Sequence, residues 1–311
     1  MILVTGATGF VGAALIARLA REGCKTSACV RNAETLMPAG VTVIPVAGVA
    51  ADASWGPALV GVEVVVHLAA RVHVMNDTEA DPIAAFRAVN VAGTLNIAQQ
   101  AAAAGVKRFV FISSVKVNGE QTKPGQPFTE ADEPNPQDAY GQSKHEAEMG
   151  LRQIAADTGL EVVIIRPPLV YGPGVKANFA ALTHAVQRGW PLPLGSVHNQ
   201  RSLVALDNLV DFIITCTSHR QAANQTFLVS DGQDLSTTEL IRGMAQAAGV
   251  PARLLPVPVW ALQAGATLLG KSEAVQRLCG NLQVDIAKAQ TLLGWVPPVS
   301  VEDGLRRAAA G

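Results

Sequence analysis

A tyrosine and a lysine four positions apart, in the stretch Tyr140-Gly-Gln-Ser-Lys144, carry the clearest chemistry in this 311-residue chain. On a helix, residues with this spacing lie on one face. A phenol has an ordinary pKa of ~10, and lowering it by about 3 units for work near neutral pH requires roughly 4 kcal/mol of differential stabilisation. A neighbouring ammonium supplies part of this stabilisation of the phenolate. The spacing predicts proton transfer by Tyr140 assisted by Lys144, with a surface helix pair as the alternative.

Two serines, Ser113 and Ser114, end the apolar run Arg-Phe-Val-Phe-Ile-Ser-Ser. Such a run predicts a strand of a parallel sheet, and these sheets bind ligands at the carboxyl ends of their strands. One serine hydroxyl can therefore donate a hydrogen bond to the substrate oxygen on which the tyrosine acts. We assign this role to Ser114.

A glycine-rich turn, Gly-Ala-Thr-Gly-Phe-Val-Gly, follows the first apolar run and opens a helical stretch. Glycine permits a tight turn and a close approach of the backbone, while free N–H groups and the helix dipole favour a pyrophosphate there. The turn predicts a dinucleotide cofactor, with packing alone as the alternative. Its predicted cofactor-binding residues are Gly6, Thr8, Gly9, Phe10, Val11 and Gly12.

The choice between NAD and NADP depends on the end of the second predicted strand, Val30-Arg31-Asn32. NAD-selective sites place an acidic residue there, which binds the ribose hydroxyls. The acid is missing, and Arg31 can pair with a 2′-phosphate. The cofactor is therefore predicted to be NAD or NADP, with NADP favoured, and a solvated surface arginine is the alternative.

Short β-branched runs alternate with helical stretches through the first half of the chain, which predicts parallel βαβ units. We expect an α/β fold: a Rossmann-type, doubly wound parallel sheet with a smaller, mainly helical C-terminal substrate domain. The predicted NAD(P)-binding domain comprises residues 1–170 and about 204–232, and the substrate domain residues 171–203 and 233–311. Ser236 is a predicted N-cap in the second domain.

Several motifs in order resemble the NAD-dependent epimerase/dehydratase family, the extended short-chain dehydrogenases: TGATGFVG, HLAA, ISS, YGQSK and RPPLVYGPG. The resemblance covers nearly the whole chain. It implies that Lys144 holds the nicotinamide ribose as well as assisting Tyr140. It also implies further residues near the cofactor, namely Leu68, Ala69, Ala70, Asn90, Pro167 and Leu169. We interpret His67 as a core histidine rather than a catalytic one.

The resemblance also narrows the reaction. In the family's 4,6-dehydratases, an Asp-Glu pair that eliminates water follows the serine or threonine of the fifth strand, whereas Val115 and Lys116 follow Ser114 here. Elimination by that route therefore loses its acid and base. The segment continues with Val117-Asn118-Gly119, where the family usually has Val-Tyr-Gly.

Three residues are candidates for binding the diphosphate of a nucleotide sugar: Asn178, Arg201 and Arg277. Asn178 and Arg201 occupy family positions that contact such substrates, and a guanidinium can bind two phosphate oxygens at once. An exposed charge is the alternative for each arginine.

The predicted function is that of an NAD(P)-dependent oxidoreductase acting at C4 of a nucleotide sugar, closest to reductases of UDP-4-keto-6-deoxy-hexosamines. The first alternative is a UDP-hexose 4-epimerase, which would use the same serine, tyrosine and lysine. Two further alternatives are a 3β-hydroxysteroid or dihydroflavonol-like reductase and a non-catalytic NAD(P)-sensing regulator. The regulator is disfavoured because such proteins usually lose the tyrosine or lysine, and both are present here.

Composition bounds the partners and the location. With 24 Lys and Arg against 25 Asp and Glu, the net charge of -1 gives no reason to expect nucleic acid or an anionic membrane. The apolar stretch 254–270 contains two prolines and is shorter than the ~20 residues of a membrane span. Four cysteines without CxxC spacing and the absence of a basic leader predict a cytoplasmic protein with reduced thiols and no metal site. The resemblance implies a homodimer.

Overall fold

The computed structural model describes residues 1–72, 81–268, 270 and 272–310. Its centre is a seven-stranded, wholly parallel sheet in the order β3-β2-β1-β4-β5-β6-β9. The order reverses direction at β1, which makes the sheet doubly wound. The strands are β1 (Ile2–Thr5), β2 (Thr26–Val30), β3 (Val41–Pro45), β4 (Val64–His67), β5 (Arg108–Ile112), β6 (Glu161–Arg166) and β9 (Thr226–Leu228). The predicted Rossmann-type fold is confirmed.

Apolar side chains cover both faces of this sheet, as the continuous apolar runs predict. In register, Val4 lies opposite Val66, and Val66 opposite Val110. One face packs against α1 (Phe10–Arg21) and α7 (Leu206–Ser218), and the other against α4 (Thr94–Ala103) and α5 (Ala139–Thr158). Two buried layers therefore hold the sheet between helices and fix the positions of its strand ends.

The other described helices are shorter than α5. One helical stretch begins at the Asp81 cap of α3 (Pro82–Phe86), continues through a seven-residue π-helical segment, Arg87–Gly93, and ends as α4. Ser236 caps α8 together with Glu239, as predicted for this serine. The helices are α2 (Gly56–Leu59), α3 (Pro82–Phe86), α6 (Ala177–Gln187), α8 (Thr237–Ala247), α9 (Val259–Leu268), α10 (Ser272–Cys279), α11 (Ala287–Leu293) and α12 (Val301–Ala310).

A second sheet pairs two short parallel strands, β7 (Leu169–Tyr171) and β8 (Leu203–Ala205). A separate apolar cluster surrounds it, with buried residues between positions 171 and 205 and between 241 and 305. Most of these positions fall in the predicted substrate domain. The division of the chain into two domains at the stated boundaries stays a prediction.

The main sheet has two edge strands, β3 and β9, and β9 pairs only with β6. Lys288 on α11 donates a hydrogen bond from its Nζ to the carbonyl oxygen of Thr226 at 2.9 Å. The Oε1 atom of Glu130 accepts one from the amide of Leu228 at 2.8 Å. Two charged side chains thus bind backbone groups that point away from β6.

The apolar stretch 254–270 contains helix α9, which covers the ten residues Val259–Leu268. Ala266 is buried, whereas Trp260 and Leu268 are 72% and 88% exposed. No helix in the described part of the chain has the length and apolar character needed to cross a bilayer. All four cysteines are free thiols, and burial raises the pKa of Cys29 to about 12.

Candidate active site

The glycine turn joins β1 to α1 and has little room for side chains. Gly6 has a φ of +68°, and a Cβ on it would lie 2.7 Å from the amide nitrogen of Ala69. A Cβ on Gly12 would lie 2.1 Å from the carbonyl oxygen of Gly6. Both contacts are with backbone, so a larger residue at either position forces the turn to move.

The start of α1 faces outward from this turn. Gly9 is the N-cap residue, its amide donates to the Gly6 carbonyl at 2.9 Å, and Thr8 beside it is exposed. In the described residues no side chain caps this terminus and no acid lies in its first turn. Phe10 and Val11 are partly buried and pack against the apolar core between α1 and the sheet. The helix start therefore keeps free N–H groups and its positive dipole end for an anion.

The segment after β4 forms the second wall of the turn. Leu68 and Ala70 are half-buried beside Ala69, and the Ala69 amide donates to the Thr5 hydroxyl at 3.3 Å. His67 is buried between hydroxyls, 2.8 Å from Thr5 Oγ1 and 3.1 Å from that of a threonine on α4. Burial lowers the pKa of His67 to about 3. Its position agrees with the interpretation of a core histidine.

At the end of β2, Arg31 is exposed and the neighbouring Asn32 side chain accepts from the amide of Glu34. Within the described residues Arg31 makes no ion pair. Because β2 lies beside β1 in a parallel sheet, Arg31 lies at the same edge as the glycine turn. Its guanidinium is thus available to a ligand there.

The tyrosine and lysine lie at the beginning of α5. Asp138 is the N-cap, and its Oδ1 accepts from the Gly141 amide at 2.7 Å. Tyr140 is half-buried, and its ring lies edge-on to Phe86 with 6.1 Å between centroids. Burial raises the pKa of Tyr140 above its ordinary value, and the Asp138 carboxylate acts in the same direction. The free phenol therefore stays protonated until a positive charge stabilises its anion.

Lys144 is 2% exposed and lies one turn after Tyr140. Its Nζ donates to the Ile112 carbonyl at 2.8 Å and lies 4.5 Å from the ring centroid of Phe111 and 5.9 Å from that of Tyr140. Burial lowers the pKa of Lys144 to about 7, against the opposing charge of Glu148. The lysine is held between β5 and the phenol, close to its protonation midpoint at neutral pH.

The two serines after β5 differ in their contacts. Ser113 is buried and donates to Glu148 Oε1 at 2.6 Å. Ser114 is half-buried, and its hydroxyl accepts only a long bond of 3.2 Å from the Lys116 amide among the contacts the structure gives. The Ser114 hydroxyl therefore has a proton to donate to a substrate, and its catalytic role stays a prediction.

Asn90 lies in the π-helical segment and is 1% exposed. Its side chain accepts from the Arg71 amide at 2.8 Å and donates to the Arg71 carbonyl and to Ser143 Oγ, both at 3.0 Å. Asn90 thus joins the segment after β4 to α5, and its proximity to the cofactor stays a prediction. π-Helical insertions are frequent at functional sites.

Val115 and Lys116 occupy the positions at which the 4,6-dehydratases have their Asp-Glu pair. Val115 is buried, and the Lys116 ammonium forms ion pairs with Asp138 and with Glu120. The lysine thereby ties the turn after Ser114 to the cap of α5. These contacts use the Lys116 charge to hold the turn in place.

Pro167 and Leu169 follow β6 at the same edge of the sheet. The Pro167 carbonyl accepts from the Val115 amide at 3.0 Å, and Leu169 is 43% exposed. The segment therefore borders the turn that carries Ser114.

The predicted substrate residues lie in a different part of the structure. Arg201 Nη1 donates to the carbonyls of Arg277 and Gly280, at 2.8 and 3.2 Å, so the two arginines are neighbours. Burial lowers the pKa of Arg201, whereas Arg277 is exposed. Gln121 packs against Gly280, which places this cluster beside the loop that follows Ser114. Asn178 belongs to α6, but its side chain lies outside the described part of the chain.

Two parts of the site were not predicted from the sequence. One is Asp138, which caps α5 and pairs with Lys116. The other is the buried pair of Glu148 and Arg166, which contacts Ser113. A signal existed for Glu148, because it follows Lys144 by four positions and so shares its helix face.

A parallel sheet with a glycine turn, and with Ser114, Tyr140 and Lys144 at one edge, defines a short-chain dehydrogenase of the extended type. A model of the NAD dependent epimerase/dehydratase family matches residues 2–230. The chain belongs to this family, as its motifs predicted, and it is an enzyme of that class.

Three relatives illustrate the similarity. The chain is 50% identical over 310 residues to a UDP-glucose 4-epimerase of Vibrio cholerae, covering 99% of this chain and 94% of that protein. The structure of a UDP-glucose 4-epimerase with UDP-glucose from Thermotoga maritima matches with a TM-score of 0.78, 24% identity and coverage of 99% and 97%, which shows the shared fold. The MoeE5 structure with UDP-glucose and NAD matches with the same TM-score, 25% identity and the same coverage.

Proposed function

We propose that this enzyme is a UDP-hexose 4-epimerase, which inverts the configuration at C4 of a UDP-linked sugar. The observation that carries the proposal is the 50% identity, over 99% of the chain, to the Vibrio cholerae protein of that name. The residues at the edge of the sheet support it, because a serine, a tyrosine and a lysine are the groups that alcohol and carbonyl redox chemistry needs.

Each of these residues has a separate task in the proposal. Ser114 donates a hydrogen bond to the C4 oxygen of the sugar and fixes its position. Tyr140 removes the proton from that oxygen and later returns it. Lys144, 5.9 Å from the Tyr140 ring, stabilises the phenolate in the interval. A bound nicotinamide would supply reversible hydride transfer at C4, with return to the opposite face of the carbon giving the inverted product.

The glycine turn fits this cofactor. Its backbone leaves no room for a Cβ at Gly6 or Gly12, and the start of α1 has no side-chain cap. Both features favour a pyrophosphate against the backbone. We therefore place the pyrophosphate at Gly6, Gly9 and Gly12, and the nicotinamide between Lys144 and the segment of Pro167.

The substrate diphosphate is proposed to bind near Arg201, with Arg277 beside it. Arg201 uses one terminal nitrogen for the carbonyls of Arg277 and Gly280. Its other side-chain N–H groups have no hydrogen-bond partner among the described residues, so they can bind phosphate oxygens. The cluster borders the Ser114 loop through Gln121 and Gly280. This position would let one substrate reach both the diphosphate site and the catalytic serine.

The test of the function is a product analysis by NMR. The protein is incubated with UDP-glucose or UDP-N-acetylglucosamine and NAD⁺, and separately with UDP-4-keto-6-deoxy-N-acetylglucosamine and NADPH. We expect interconversion of C4 epimers without net use of the cofactor. Stoichiometric oxidation of NADPH by the keto-sugar would transfer the assignment to the reductase. Turnover of a steroid or flavonoid ketone alone would exclude nucleotide sugars as substrates.

The reductase predicted from the sequence is the second candidate, and Arg31 is the observation that favours it. A reductase draws on exchangeable NADPH, and Arg31 lies exposed at the end of β2 without an ion pair in the described residues. A guanidinium at this position would bind a 2′-phosphate.

On this proposal the unaltered protein binds NADPH more tightly than NADH. Replacing Arg31 by Asp should change the preference by about 10-fold in favour of NADH, because the ion pair with the 2′-phosphate is lost and a carboxylate repels that phosphate. The change is no larger because the site is exposed and water weakens the interaction. Titration of both proteins with NADPH and NADH, followed by nicotinamide fluorescence, measures the change. A clear preference of the unaltered protein for NADH would contradict the role of Arg31.

A further inference from the structure

A buried carboxylate lies on the same face of α5 as Tyr140 and Lys144, one turn after the lysine. Glu148 follows Tyr140 and Lys144 at successive intervals of four residues on α5, and it is 0% exposed. Arg166 at the end of β6 binds both of its oxygens, with distances of 2.9 and 2.6 Å, and is itself 2% exposed. Hydrogen bonds and the charge of Arg166 outweigh burial and hold the pKa of Glu148 below its ordinary value.

The same carboxylate binds the end of β5. The Ser113 hydroxyl donates to Glu148 Oε1 at 2.6 Å. Ser113 lies between Ile112, whose carbonyl accepts from Lys144, and Ser114. One carboxylate on the catalytic helix therefore fixes the strand end that carries both the lysine acceptor and the proposed catalytic serine.

We propose that Glu148 is a positioning residue for catalysis: through Ser113 it holds Ser114 and the Ile112 carbonyl in place against Tyr140 and Lys144, and its charge acts on that pair. The proposal rests on the proposed function for its effect on turnover. Its electrostatic part does not, because it concerns only groups of this chain.

The direction of the electrostatic effect follows from the charges around the pair. The titratable or charged groups facing it in the described residues are Asp138 at the N-cap of α5, Glu148 on α5 and His67 on β4. Two arginines bind Glu148 in turn, Arg166 on β6 and the more exposed Arg152 on α5. Removing the Glu148 charge leaves both arginines positive and makes the local potential more positive. The two proton losses of the coupled Tyr140 and Lys144 then both occur at lower pH.

The first experiment replaces Glu148 by Gln and titrates the phenolate of the NAD⁺-bound protein by its ultraviolet absorbance, because the cationic nicotinamide would bring the transition into the range where the protein is folded. The chain contains two tyrosines, and the variant with Tyr140→Phe supplies the blank for Tyr171. We expect the Tyr140 transition to move to lower pH, because the coupled Lys144 loses the charge of Glu148 and both groups then face uncompensated arginines. An unchanged titration in a folded Glu148→Gln protein would overturn the electrostatic part, whether or not a nucleotide sugar is turned over.

A control ion pair lies on β5 and β6, the two strands whose other ends carry the Glu148 partners Ser113 and Arg166. Arg108 and Glu161 form an ion pair at the opposite ends of β5 and β6, with a distance of 2.6 Å. Replacing Glu161 by Gln should lower the melting temperature but leave the phenolate titration and turnover unchanged. A shift equal to that of Glu148→Gln would mean that general destabilisation explains both variants, and would overturn the proposal.

The positioning part is tested separately with Ser113→Ala, which removes the hydrogen bond without changing any charge. We expect kcat for the nucleotide sugar to fall about 10-fold in this variant and in Glu148→Gln, with little change in KM. Unchanged kcat in Ser113→Ala would overturn the positioning role.

If Glu148→Gln does not fold, the double variant with Arg166→Met removes the unpaired charge. It should restore folding and return the Tyr140 transition toward its original pH, and failure to do so would overturn the electrostatic part.

Discussion

Replacing Tyr140 by Phe is expected to lower turnover by about 100-fold or more, the effect of losing a general acid/base. The ring and its edge-on contact with Phe86 remain, so the fold and the cofactor affinity should stay unchanged. Turnover of the nucleotide sugar and binding of NAD(P) are the two measurements. Near-normal turnover in this variant would show that another group transfers the proton.

The other tyrosine of the chain provides a control for this prediction. Tyr171 is buried in the apolar cluster around β7 and β8, and its hydroxyl donates to Asp231 at 2.8 Å. Tyr171→Phe should cost about 1–3 kcal/mol of stability, since a buried carboxylate loses a partner, without a comparable loss of turnover. The pair of variants separates the loss of a hydroxyl from the loss of a catalytic one.

Arg201→Ala is expected to raise the substrate KM by roughly 10- to 150-fold, which corresponds to about 1.5–3 kcal/mol for a charged hydrogen bond. NAD(P) affinity should not change, because the glycine turn lies in a different part of the structure. Arg201→Lys should give a smaller increase, since the charge remains but the planar fork is lost.

The contacts of Arg201 within the protein need their own control. Its Nη1 atom also binds the carbonyls of Arg277 and Gly280, so its removal can lower stability. The melting temperature is measured beside KM for this reason. A lower melting temperature with an unchanged KM would show that Arg201 only holds the chain together and does not bind the diphosphate.

The sequence predicted the main sheet well, because its signals are local. Continuous apolar runs such as Val64–His67 indicate strands buried on both faces, and Ser236 with Glu239 has the spacing of a capping box. The strands β7 and β8 were not predicted, since three residues are too few to show a period. The π-helical segment was missed as well.

The candidate site was predictable as a set of residues, but not as a set of contacts. The motifs indicated Ser114, Tyr140 and Lys144, and the parallel sheet brings them to one edge. The distinction between Ser113 and Ser114 depends on Glu148, 35 positions away from Ser113, and no local pattern predicts that bond. The roles of these residues, the homodimer and the cytoplasmic location stay predictions.

The side chains that cover the outer edge of β9 have a consequence for how the protein behaves at high concentration. An open strand edge can pair with a strand of another molecule and start aggregation. At β9, Lys288 and Glu130 already occupy backbone groups of Thr226 and Leu228. A foreign strand would have to displace both charged side chains before it could extend the catalytic sheet. This edge is therefore protected against joining sheets between molecules.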